Sequence, residues 1–328
     1  MNQVPYAFCE AVFSRFPEIF KKSTTLDELP EIRFHFSKAN LDRLPGIWGK
    51  AAKKCREKLT WVRIFINMSE SGNEDTYSID ARVGSSSLLE SLTLETFLKM
   101  ANPDLCFIES ISFLDYDALE EEGLEITRNV LTGRLLPFVC RMARPVTELY
   151  VSEESYLPKE IFSKMVKESR IRCFDFDWAP QIKEYVTFLM ESGPLDTLTL
   201  EDGSWPKEVL DLAVEKFSKG EIDRLAVDYT REWEDSVVQK TIDRIKQFGG
   251  ERQFSISAQK EIVIKDLLEA LTDFELLESI VPYNADDRVP TVELTYKLPH
   301  SENRLFVKGE EFGHVGSVAF EIRKNSTC

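Results

Sequence analysis

Histidine is nearly missing from this chain: His35, His300 and His314 are the three among 328 residues, and none has a partner at metal-ligand or acid–base spacing. Cysteine is sparse too. The six, at positions 9, 55, 106, 140, 173 and 328, form neither a metal-binding pair nor a compact framework that would staple a small domain, so they read as reduced thiols. Glycine and proline, 14 of each, are too few for a fibrous or low-complexity chain. No run approaches the ~20 apolar residues of a membrane span, and the opening Met-Asn-Gln-Val-Pro has no basic stretch followed by an apolar one. The expectation is a cytoplasmic or nuclear protein with no membrane partner.

Positive charge is short as well. Against 57 Asp and Glu stand 41 Lys and Arg, a formal net charge of −16, which repels phosphate backbones and makes nucleic acid a poor partner. The basic island Lys50, Lys53, Lys54, Arg56 and Lys58 reads as a solvated helix face. Gly46-Ile47-Trp48-Gly49-Lys50-Ala51 lacks the glycine spacing and the hydroxyl residue of a phosphate loop. The acidic stretch Asp115 to Glu125 lacks the alternation and glycine of a calcium loop. With no nucleophile, base and stabiliser visible together, neither an enzyme nor a cofactor or metal is expected.

What is there is a repeat. At 43% apolar residues the composition is that of a folded chain with a sizeable core. From about 105 to 257 a strand pattern recurs with the step apolar, two residues, apolar, one residue, apolar: Ile108/Ile111/Phe113, Val146/Leu149/Val151, Ile171/Phe174/Phe176, Leu195/Leu198/Leu200 and Ile222/Leu225/Val227. A degenerate sixth carries Phe254 and Ile256. Between the strands, Pro158, Pro180 and Pro206 each open an amphipathic stretch, and proline suits a first helical turn; Pro137 precedes a further copy. Starts at 146, 171, 195 and 222 are 25, 24 and 27 residues apart, within the range of leucine-rich-repeat units. A helix between strands also supplies the crossover that parallel pairing needs.

The expected fold class is therefore α/β: a leucine-rich-repeat-like strand–helix solenoid with an N-terminal helical unit and a C-terminal antiparallel strand cap. An ordinary α/β domain of successive βα units is the competing architecture. The expected divisions are residues 1–60, helical; 61–260, with a hairpin over 61–83 and repeats over about 105–257; and 261–328, a cap of one helix over 263–271 and antiparallel strands.

Val4-Pro5-Tyr6-Ala7 followed by Phe8-Cys9, Val12-Phe13 and Phe16 is similar to the opening of an F-box, with Ala7 in place of the acid. Taken with the repeats, the chain resembles the nematode F-box-type proteins that carry a C-terminal F-box-associated (FTH-type), leucine-rich-repeat-like domain. It departs from them at Trp48, which precedes Cys55 rather than following it. The resemblance implies that Pro5, Phe8, Cys9, Val12, Phe13 and Phe16 dock on a Skp-type adaptor, and that the chain is a substrate receptor of a cullin-type ubiquitin ligase. A scaffold or inhibitor without ubiquitin function is the other recognition reading. A proline-started amphipathic helix packing on its own domain is the plain alternative for the six residues.

In the repeats, residues flanking the core positions fall on the concave sheet face. Glu148 and Tyr150, Asp175 and Asp177, Thr199 and Glu201, and Arg224 and Asp228 form a mainly acidic surface there, with Trp178, Trp205, Tyr229 and Trp233 as an aromatic rim. The expected occupant is a protein target presenting a basic segment; carboxylates that only keep a sheet soluble are the alternative.

Overall fold

The computed structural model describes residues 46–58, 60–68, 76–85, 88–98, 106–114, 124–153, 155, 157–193, 195–201, 205–228, 252–259, 271, 274–280, 291–297, 304–312 and 315–323. The six adaptor-docking candidates, the three histidines, Tyr229 and Trp233, the helix expected over 263–271 apart from Leu271, and most of the acidic stretch lie outside them. The chain divides into two compact units, Met1–Arg172 and Cys173–Cys328.

The first unit is organised on β1 (Thr60–Met68), preceded by helix α1 (Ile47–Lys58). Strict alternation shapes it: Val62, Ile64 and Ile66 are buried on one face, while Trp61, Arg63 and Phe65 are half-buried on the other. On one edge β1 pairs antiparallel with β2 (Thr76–Ser85), and β2 carries two strands end to end on its far edge, β3 (Leu88–Leu92) and β5 (Leu124–Thr127). On the other edge β1 pairs parallel with β4 (Cys106–Phe113), and β4 parallel with β6 (Glu148–Val151).

The β4-to-β6 crossover is helical. It runs through α3 (Arg128–Val130), a π turn over Leu131–Leu135 and α4 (Leu136–Met142), after the short helix α2 (Leu94–Leu98) has already passed. Pro137 therefore does not open a helix but sits inside a helical run. In a regular helix its ring would press on the Gly133 carbonyl; here the turn before it is widened, with the Leu136 N–H donating to the Leu131 carbonyl. Leu131, Leu135, Leu136, Val139 and Met142 are buried, α4 packs on β4, and Phe97 meets Phe138 edge-on at 5.0 Å. Fully buried Thr147 ties this crossover to the sheet: its hydroxyl donates to the Ile108 carbonyl at 2.7 Å and accepts the Arg144 N–H at 2.9 Å. Helix α5 (Lys159–Glu168) packs against α4.

The second unit repeats one βα step. Strands β7 (Cys173–Asp177), β8 (Thr197–Glu201), β9 (Arg224–Asp228) and β10 (Arg252–Gln259) are successive parallel neighbours. Helices α6 (Ile182–Ser192) and α7 (Lys207–Lys219) make the first two crossovers and pack on each other. The recurring apolar pairs fall in register, Phe174–Leu198–Leu225 and Phe176–Leu200–Val227, and all six are buried. Ile171, Leu195 and Ile222, the first members of each triplet, are buried too but lie before the strands. Ile182, Tyr185, Val186, Leu189 and Met190 form the buried face of α6, at the spacing of an amphipathic helix.

The prolines act one position earlier than the first helical turn. Pro158 and Pro206 are N-caps with extended ψ of 135° and 137°, and their carbonyls accept from Ile161 and Phe162 and from Val209 and Leu210. Pro180 lies one residue before the N-cap Gln181. A fixed φ near −60° serves a cap as well as a first turn, and neither site asks for an N–H. Gly220 closes α7 in the left-handed region at φ 78°, with its N–H reaching the Lys216 and Phe217 carbonyls.

Beyond β10 the sheet turns antiparallel. β14 (Val315–Arg323) pairs with β10, β13 (Arg304–Phe312) with β14, β12 (Thr291–Lys297) with β13, and β11 (Glu275–Ile280) with β12. Both units are thus α/β, with parallel strands joined through helices and antiparallel strands at one side.

Candidate functional site

The second unit has a polar sheet face opposite its apolar one, while the matching face of the first mixes Trp61 and Phe65 with Arg63, Ser110 and Ser112. In the second, register sets the rows: Cys173 beside Thr197 beside Arg224 beside Gln253; Asp175 beside Thr199 beside Ala226 beside Ser255; and Asp177 beside Glu201. Asp175, Thr199, Glu201 and Arg224 are half-buried, and Asp177 is buried. Asp228 lies in β9 in register with Ser257, with its side chain outside the described residues. Neighbouring parallel strands stand about 4.8 Å apart, so Asp177 and Glu201 bring two carboxylate-bearing residues side by side. Like charges so placed repel.

The Trp178 main-chain N–H and the Trp205 indole fix the backbone at that end. The Glu201 carbonyl accepts from the Trp178 N–H at 3.2 Å and from Trp205 Nε1 at 3.0 Å, and the two rings meet at 5.0 Å and 60°. Trp205 is buried under this contact, while Trp178 is half-buried.

In the first unit Glu148 and Tyr150 are half-buried on β6 and register with Ser110 and Ser112 of β4. Those serines register with Arg63 and Phe65 of β1, and these in turn with Arg82 and Asp80 of β2. Sequence reasoning missed this charged row. Arg63 Nε contacts Glu109 Oε2 at 2.8 Å, Arg82 Nε contacts Asp80 Oδ2 at 2.5 Å, and the Arg82 guanidinium lies 5.2 Å from the Phe65 ring centroid. Asp80 and Glu109 are buried. Arg63 was available from the alternation of β1. Glu109 was not, because a bulge intervenes: Val62 pairs with Ile108 but Arg63 with Ser110, which leaves Glu109 as the extra residue.

Two of the thiols, Cys106 and Cys140, are buried. Burial pushes Cys106 and Cys140 up to about 11, above the ordinary thiol value, and the nucleophile is the thiolate. In native protein at pH 8, peptide mapping after brief iodoacetamide treatment is expected to find Cys106 and Cys140 labelled at least ~10-fold more slowly than half-buried Cys173. Equal rates would mean that burial does not protect them. Among the described residues, no group of three or more His, Cys, Asp or Glu is placed to hold a metal, and no helix is long and apolar enough to cross a membrane.

Compared with protein-family models and with curated proteins, the chain matches none.

Proposed function

We propose that this chain is a protein-recognition subunit whose βα units form a leucine-rich-repeat-like solenoid, and that the polar face of β7, β8 and β9 takes a basic segment of its target. The observation that carries the reading is the register of Asp175 and Asp177 with Thr199 and Glu201 on adjacent parallel strands. Carboxylates at ~4.8 Å and ~6.5 Å intervals suit the alternating cations of an extended chain. Arg224 sets the positive end of the surface and gives the ligand a direction. Trp178 offers a half-buried aromatic flank, where a lysine or arginine side chain stacks. Considered on the first unit alone, Glu148 and Tyr150 of β6 are a candidate contact surface of their own.

In this proposal residues 1–20 supply the second function. Pro5, Phe8, Cys9, Val12, Phe13 and Phe16 dock on a Skp-type adaptor, making the chain a substrate receptor of a cullin-type ubiquitin ligase. The support is the F-box-like spacing of those residues.

The test uses the full chain and fluorescein-labelled 12-residue peptides, Lys/Arg-rich, neutral or Glu-rich, followed by anisotropy. The basic peptide is expected to bind at least ~10-fold more tightly than the others at low salt and to weaken as salt screens the contact. Asp175→Lys with Glu201→Lys is expected to remove that preference while leaving the circular dichroism spectrum unchanged. Equal affinity for all three peptides ends the proposal for the sheet face. Co-purification with a Skp-type adaptor, lost in Phe8→Ala with Phe13→Ala, tests the other half; no adaptor with intact chain leaves a scaffold or inhibitor.

A further inference from the structure

At the carboxyl ends of β1, β4 and β6 in the first unit is a small recess lined by Ile66, Phe113 and Leu157 on its apolar side and by Asn67, Tyr77 and Ser155 on its polar side. All three polar residues are buried, at 3%, 2% and 3% exposure. They arrive from different places: Asn67 from the end of β1, Tyr77 from the start of β2, and Ser155 from the segment after β6, whose N–H donates to the Ser152 carbonyl at 3.1 Å. The Ser155 hydroxyl has no hydrogen-bond partner among the described residues. A buried hydroxyl in that position needs one, because it has left bulk water behind. The space in which a water centre can move there is about 10 Å³, close to one molecule, and a buried water needs two to four polar partners.

We infer that the recess is a specific site for one internal water molecule, which joins the Ser155 hydroxyl to the Asn67 amide and the Tyr77 hydroxyl. The water is then a structural part of the first unit. It accepts or donates where Ser155 alone cannot reach, and it links the segment after β6 to the ends of β1 and β2. Its position at the carboxyl ends of parallel strands is where open α/β sheets ordinarily take polar ligands.

The first test needs no variant. A high-resolution crystal structure of the full chain is expected to show one water peak in the recess, 2.7–3.2 Å from at least two of Ser155 Oγ, Tyr77 OH and the Asn67 amide. An empty recess, or a Ser155 hydroxyl bonded directly to a protein carbonyl, overturns the inference. The second test is a cycle of Ser155→Ala, Tyr77→Phe and the double variant in urea unfolding. Each single change is expected to lower the folding equilibrium constant by about 3- to 10-fold. Because both side chains hold the same water, the double variant should lose clearly less than the product of the two. Losses that multiply cleanly would show two independent groups and sink the shared site.

Discussion

Replacing Phe176 with alanine is expected to lower the unfolding free energy by ~3–5 kcal/mol. Phe176 is 0% exposed, lies in register with Leu200 on the next strand and through it with Val227, and stacks near-parallel with Phe174 at 6.3 Å. Truncation removes the ring's burial and leaves a hole between the strands and the helix packed on them, which close packing fills only in part. Against a typical total of roughly 5–15 kcal/mol, that is a large share. Guanidinium unfolding followed by far-ultraviolet circular dichroism measures it. Leu276→Ala, at a residue 51% exposed on β11, is the control and is expected to change stability by no more than ~0.5 kcal/mol. A Phe176→Ala protein as stable as the parent would mean that the in-register apolar rows do not hold this unit together.

Arg63→Met is expected to cost ~3 kcal/mol or more, although the arginine is itself partly exposed. The cost falls on its neighbour: Glu109 is 6% exposed and loses a guanidinium held at 2.8 Å, so a buried carboxylate must be carried without that cation. Paired replacement, Arg63→Met with Glu109→Leu, is expected to recover most of the loss, since an apolar pair of similar volume removes the desolvation cost together with the attraction. Urea unfolding of the two singles and the double measures the coupling. If Arg63→Met is neutral while Glu109 is retained, the contact contributes nothing and the row across β2, β1 and β4 is solvated.

The strands of the second unit were legible because a parallel strand with helices on one face has a fixed apolar step. Phe174 and Phe176 sit two apart on the core face, and Ile171 three residues earlier anchors the turn leading in. The same reasoning recovered Leu195/Leu198/Leu200 and Ile222/Leu225/Val227, and the polar residues between them fell on one face as period two requires. What could not be read depends on contacts distant in the chain. Leu124–Thr127 becomes a strand because Thr76–Ile79 offers it an edge, not because of its own alternation. Glu109 joins Arg63 through a bulge that depends on the partner strand. Pro137 reads as a helix start until the helical run before it is known. Glu275–Ile280, with Leu276 and Leu277 both exposed, carries no buried period at its start.

The position of β14 bears on how the second unit is made. β10 has β9 on one side and β14 on the other, yet 56 positions separate Gln259 from Val315. At roughly 5–20 residues per second a ribosome takes about 3–11 s to cover that stretch. Until β14 is made, a ladder that has formed through β10 has an unsatisfied row of amides and carbonyls on that strand, the kind of edge that invites strand exchange with a neighbour on the same message. Slow translation or a shortage of holdase chaperones should therefore harm this unit before any weakness of the assembled protein becomes visible.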